Sequence, residues 1–488
     1  MTTSCPRVAG PDAAPAPPAG VEPAAGVAAA PCRGAARVAA LAVLGWLLVE
    51  IASSVGLRLL GDRFELRYRS LDRFLDAEDR AHLDALLRTG EGWYHRLDPL
   101  LGWSTRPSGR LGGEGGPVAT QNAQATRSLR DYATTPPPGV LRIAAFGDSF
   151  VHGDEVGDGE EWTALVERSR PGLEVMNFGV SGYGPDQAFL RWQRDGRGFR
   201  PAVVVIGYMT ENLLRTQNVF RPFYERASGF RLSKPRFRLV DDELVLLPNP
   251  LATRADLDAL LRDPPAVLER LGRHDAFFAG SGLHSSRFDF LPSVRFLSLV
   301  PSALGARARG RDLSSSPDGE AFRTTRAILL AFCRDVRDAG ATPLVAVFPN
   351  ETDLASLRGG GGRAWQPMVE DLRRGGCPTV DLADRFERDA KGIDLHDLFG
   401  RWHYSPLGNR IAAEGIGDAI EALQAIGSVR DGGARGAGGT DRPGDRARGR
   451  GPGVARDGER DSPGLGAPAA SALDSIVWKG AFGVAMRR

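Results

Sequence analysis

The chain has 488 residues, with 62 Lys and Arg against 60 Asp and Glu. So even a balance excludes a nucleic-acid binder that relies on an overall basic surface. Hydrophobic residues at 42% and charged residues at 25% exclude a wholly disordered chain and fit a globular protein with a core. Four cysteines without a C-x-x-C spacing give neither a disulfide framework nor a zinc signal.

Residues 1–36 are an Ala/Pro-rich head (PDAAPAPPAGVEPAAGVAAAP) with too little apolar content to offset the entropy of ordering it. VAALAVLGWLLV, 38–49, is continuously apolar; after Glu50, IASSVGL continues to Leu57. As a helix this stretch extends about 30 Å, enough to cross a bilayer, so 37–58 is expected to be a transmembrane anchor. Glu50 weighs against it, because a carboxylate in hydrocarbon costs about 2.5–3.5 kcal/mol. The alternatives are a cleaved signal peptide and a buried soluble helix. Arg33 and Arg37 flank the N-side, and Arg58, Arg63, Arg67 and Arg69 the C-side, so a count of positive charges places the C-side in the cytoplasm.

Residues 59–135 read as a membrane-proximal region, helical from about 64 to 95 and loop-like over LDPLLGWSTRPSG, 97–109. From 136 to 426, short apolar runs alternate with helical patterns. The strands are LRIAAF (141–146), LEVMNF (173–178), AVVVIGY (202–208), TPLVAVF (342–348) and PTVDL. Helices are expected within 159–170, over PDQAFLRWQRDG, over EAFRTTRAILLAFCRDVRDAG, near 363–374, and from SPLGNR to the end of the domain. This alternation predicts an α/β fold with a parallel sheet covered on both faces, binding its ligand at the carboxyl ends of the strands. Residues 213–316 read as a large insertion after the third strand, containing a hairpin (PRFRLVDDELVLLPNP) and placed to act as a lid or substrate platform. The tail, 427–488, is Gly/Arg-rich and expected to be disordered.

In GDSFVHG, Ser149 follows the first strand. A serine hydroxyl becomes a nucleophile only with a base in reach and donors for the oxyanion. Among the histidines, His403 in GRWHYSPLGNRIAAE stands just before the last helix, where Ser405 reads as N-cap and Pro406 as the first helical residue. His152 is expected to face a neighbouring loop, and Asp148 to bond backbone and hold its turn.

GDSFVHG, NFGVSGYGPDQ, GYMTENLLR and WHYSPLGNR, in that order, resemble the four blocks of the SGNH/GDSL hydrolases, and the upstream segments resemble bacterial membrane-anchored members. The resemblance implies a flavodoxin-like, three-layer doubly wound sheet. It implies Ser149 as nucleophile and His403 as base, with the oxyanion held by the Ser149 and Gly179 N–H groups and the Asn212 amide. Two features depart from the pattern. Four residues separate Gly207 from Asn212, with Leu213 where Asp is usual, and Gly400 stands where the family places an Asp three residues before the histidine. Asp397 is the candidate to orient His403 if its loop folds back, with Asp394 behind it; otherwise a Ser–His dyad relies on a backbone carbonyl. The implied function is a serine esterase, a deacetylase of envelope or extracellular polysaccharide. The alternatives are an O-acyltransferase at the same site and a non-catalytic carbohydrate-binding relative. No metal or cofactor is implied. The expected partners are an acylated glycan or other ester and, through the N-terminal helix, a membrane, with the catalytic domain extracytoplasmic; nucleic acid is not expected.

Overall fold

A computed structural model describes residues 33–64, 67–90, 94–112, 116–225, 231–278, 281–300 and 316–436. The head through residue 32 and the tail from 437 lie outside them. The chain divides into two compact units, Met1–Ala52 and Ser53–Arg488. The first contains most of the helix α1 (Arg33–Phe64), whose apolar side chains, among them Leu41, Trp46 and Ile51, are exposed. By length and composition the stretch Gly34–Asp62 can cross a membrane.

The second unit is built on five parallel strands: β1 (Leu141–Phe146), β2 (Leu173–Asn177), β3 (Val203–Met209), β4 (Thr342–Phe348) and β5 (Thr379–Asp381). Their order is β5-β4-β3-β1-β2, the flavodoxin-like arrangement, which reverses direction between β1 and β3. The apolar runs are continuous because both faces are covered. Successive side chains point to opposite faces. Ala144, Phe146, Val204, Ile206, Val345 and Val347 therefore join one core cluster, with Phe189 of the helix Pro185–Arg191 and Phe332 of the helix Glu320–Asp338. Ile143, Ala145, Val203, Val205, Leu344 and Ala346 join the other, with Trp162, Phe386 and Ile416. Burial of each large side chain contributes about 1.5–3 kcal/mol. One polar pair interrupts the sheet: Arg142 and Glu174 are opposed in register and bonded at 2.6 Å. Arg142 also donates to the Phe199 and Thr134 carbonyls, which offsets its desolvation.

Two expectations upstream of the sheet are corrected. The helical reading of 64–95 holds only for Ala77–Thr89, because Asp76 and Asp79 form a capping box that starts the helix there. Before it, Arg69–Ser70 is a short strand paired in parallel with Leu283–His284. The segment read as loop over 97–109 begins as a hairpin, His95–Asp98 with Gly102–Thr105. Its Trp103 is fully buried and donates to the Ser181 carbonyl at 3.0 Å.

The hairpin after β3 is present, Arg236–Val240 with Glu243–Leu247. Asp241 and Asp242 have φ of 50° and 64°, the type I′ turn of a two-residue loop. The buried Asp275 accepts from the backbone N–H groups of Val219, Phe220 and Phe277 and ties this segment to the exit of β3. A disulfide joins Cys333 to Cys377 across 44 residues, with 5.9 Å between Cα atoms. It links the helix Glu320–Asp338 to the entry of β5, a pairing the sequence spacing did not suggest.

Candidate active site

β1 ends in a tight turn. Asp148 caps the single-turn helix Ser149–His152 by accepting from Phe150 N–H at 2.9 Å, and Gly153, at φ 82°, terminates it. This is the backbone role expected of Asp148, and its other oxygen does more. It accepts from the Asn212 amide at 2.8 Å and from Arg215 at 3.2 Å, so the exit of β3 is fastened to the turn carrying Ser149. Asn212, five positions after Gly207, is thereby brought to the turn that carries Ser149.

His403 sits on a short turn closed by a bridge between Phe399 and Tyr404 and by Gly400 N–H donating to the His403 carbonyl at 2.8 Å. Its ring lies 5.2 Å from that of Phe150, the residue after Ser149. The carboxylate on its Nδ1 is that of Glu155, at 2.9 Å, not that of Asp397. The other Glu155 oxygen accepts from the N–H groups of Arg401 at 2.7 Å and Trp402 at 3.1 Å. Asp397 is exposed and precedes the turn; its carbonyl accepts from Ser405 Oγ, while Asp394 caps the short helix Leu395–Leu398. Asp394 Oδ1 is engaged by His396 N–H at 2.9 Å, and the Nδ1 position of His403 is already taken by Glu155.

Glu155 has φ 71°, a left-handed conformation that costs a side-chain-bearing residue about 1–3 kcal/mol. The conformation directs its carboxylate across to the His403 turn. A Cβ on Gly400 would lie 2.6 Å from Glu155 Oε2. The space a side chain at position 400 would need is thus occupied by a carboxylate arriving from the loop after Ser149.

The electrostatics follow from this placement. Burial pushes the His403 pKa down, but the bond from Glu155 and the charges of Asp154, Glu155 and Asp148 outweigh it and hold the pKa above the ordinary histidine value. Burial pushes Glu155 up, yet its bonds to His403 and to the backbone N–H groups hold it below the usual range. A histidine whose cationic form is favoured, bonded through Nδ1 to a carboxylate, leaves Nε2 to exchange a proton.

Gly179 stands differently from its expected role. Its N–H donates to Asn177 Oδ1 at 2.9 Å and is committed to that side chain. Gly179 is needed for packing, since a Cβ there would strike the backbone of Val151 and His152.

A second histidine–carboxylate pair lies behind the first. His152 is wholly buried, with Nδ1 bonded to Asp154 at 2.6 Å and Nε2 to Tyr94 OH at 2.6 Å. Ser181 Oγ donates to the other Asp154 oxygen at 2.7 Å. Burial holds His152 below the ordinary histidine value. In its neutral form the ring would donate from Nδ1 to Asp154 and accept at Nε2. The loop carrying both carboxylates is braced from upstream: Arg127, itself buried, donates to the carbonyls of His152 (2.9 Å), Gly153 and Val156 (2.7 Å). Sequence reading missed this cluster; the one available signal was the Asp154-Glu155 doublet directly after the turn that carries Ser149.

Solved structures similar to the chain include a member of the lipolytic protein G-D-S-L family from Veillonella parvula (11% identity, 58% of this chain and 99% of that one, TM-score 0.28). They also include an acetylxylan esterase from Geobacillus stearothermophilus (12% identity, 57% of this chain and 94% of that one, TM-score 0.31). An alpha/beta hydrolase enzyme from the metagenome of Lake Arreo, Spain, is at 14% identity (58% and 96% covered, TM-score 0.31). These likenesses are partial and of low identity. No protein-family profile and no curated protein matches the chain.

Proposed function

We propose that the protein is a serine esterase with Ser149 as nucleophile, His403 as general base and Glu155 as the carboxylate that orients it. The observation that carries this reading is the Glu155–His403 pair set against Phe150, next in chain to Ser149. Ser149 Oγ attacks the ester carbonyl carbon while His403 Nε2 takes its proton. The imidazolium returns that proton to the departing alkoxide. Water then attacks the acyl-enzyme, again losing its proton to His403, and the acid leaves as Ser149 is restored. The Ser149 N–H and the Asn212 amide are the proposed oxyanion donors.

We further propose an acylated glycan as the substrate class. Trp402, beside His403, is 56% exposed and offers an aromatic face on which a sugar ring can rest. α1 is proposed as a membrane anchor with the catalytic unit extracytoplasmic. The Cys333–Cys377 bridge supports that side, since such bonds persist in oxidising compartments. The test is covalent labelling of the full chain by a fluorophosphonate probe, with the modified residue mapped by mass spectrometry, alongside p-nitrophenyl acetate hydrolysis. Label on Ser149 and loss of turnover in Ser149→Ala are expected; equal turnover by wild type and variant refutes the assignment.

A further inference from the structure

Just beyond the end of α1 lies an open pocket of about 490 Å³, remote in sequence from every proposed catalytic residue. It is lined by Tyr68, Arg69, Ser70, Arg73, Asp289 and Arg295. Three guanidinium groups thus face one carboxylate. The parallel pairing of Arg69–Ser70 with Leu283–His284 holds the two walls together. Arg295 is fixed over the Tyr68 ring, 5.8 Å from its centre, and donates to the Asp289 carbonyl.

The neighbouring surface is apolar. Phe288 and Phe290, with ring centres 6.4 Å apart, are 60% and 65% exposed, and Leu297 is 67% exposed. The helix over 292–300 that carries Leu297 packs against the C-terminal part of α1. A Cβ on Gly56 would lie 2.5 Å from the Phe296 ring, so the two helices touch where the glycine leaves room. An exposed aromatic pair, an exposed leucine and a cationic pocket therefore sit together where the long apolar helix ends. Aromatic rings favour the membrane interface, and arginines near it attract lipid phosphate.

We infer that this pocket binds the headgroup of an anionic phospholipid, with Phe288, Phe290 and Leu297 lying in the acyl boundary beside it. The inference rests on the proposed membrane anchoring by α1 but not on the esterase assignment. It gives the chain a hold on the bilayer besides the apolar helix.

The test uses the full chain in nanodiscs of phosphatidylcholine alone or with a minority of phosphatidylglycerol, reading amide hydrogen exchange over 67–73 and 283–297. Phosphatidylglycerol is expected to slow exchange there. The Arg73 side chain is exposed and holds no hydrogen bond or ion pair among the described residues, so Arg73→Gln is expected to leave the fold intact. It should reduce the slowing about fivefold. Phe288→Ser with Phe290→Ser should abolish it. Equal exchange in both lipids, or an unchanged Arg73→Gln, overturns the inference. So does full protection by soluble glycerol phosphate in phosphatidylcholine discs, which would mark a site for free anions. A chain that fails to co-float with vesicles overturns the anchor reading as well, whereas one that co-floats without lipid preference overturns the pocket alone.

Discussion

Two histidine–carboxylate pairs lie side by side and share a loop, yet they are tuned in opposite directions. Glu155 holds His403 at 2.9 Å and Asp154 holds His152 at 2.6 Å, so consecutive residues serve different rings. His403 keeps some exposure and has Asp154, Glu155 and Asp148 acting on it, and its pKa rises. His152 has none, and burial among Tyr94, Gln121 and the guanidinium of Arg127 drives its pKa down. A close carboxylate therefore does not by itself make a histidine a base. Access to a second proton partner decides: His403 keeps Nε2 for exchange, whereas Tyr94 occupies that atom of His152.

The largest break should come at the exposed pair. Ser149→Ala and His403→Gln are each expected to lower p-nitrophenyl acetate turnover by about 10³-fold or more, measured as kcat/KM. Glu155→Gln should cost on the order of 10²–10⁴-fold in kcat. It should also shift the pH–rate profile. The base must be neutral to act and its pKa is raised, so the acidic limb lies above about pH 6.5. Loss of the Glu155 charge lowers that pKa and moves the limb to lower pH. Asp397→Asn, as the contrast, should change neither rate nor limb.

Asp154→Asn should move the same limb in the same direction but less far, because its charge acts on His403 without a bond. It should also lower stability by about 1–3 kcal/mol by weakening the support of a buried ring. The smallest effect is expected from His152→Gln, read in the pH dependence of thermal unfolding. With its pKa lowered in the fold, His152 binds a proton more readily when unfolded, so it erodes stability as pH falls below about 6.5. The variant should begin its acid-side loss at lower pH. An unchanged curve would mean the buried ring is not neutral in the native state.

Much of this was legible in the residues. Four of the five runs, β1 to β4, specify strands because each is covered on both faces, and the turns around Ser149, Asn212 and His403 carry enough local pattern to be placed. Glu155 was not legible. In sequence it is one of five acidic residues in the Gly-rich loop that runs from Gly153 to Glu161, which reads as solvated charge. Its role depends on a left-handed backbone at 155 and on the missing side chain at 400, which are 245 positions apart. The buried hairpin around Trp103 was hidden for a related reason: its glycines and prolines signal a loop, while its burial comes from partners far along the chain.

Arg127 sets a limit on how the protein can be shortened. A chain trimmed to begin at residue 136, where the strand-and-helix alternation starts, would lack the guanidinium that satisfies three buried carbonyls behind Glu155, and would lack Tyr94 behind His152. Such a fragment could keep its sheet and still leave the histidine-orienting loop unsupported. The stretch between α1 and the sheet is better regarded as part of the support of the proposed active site than as a tether.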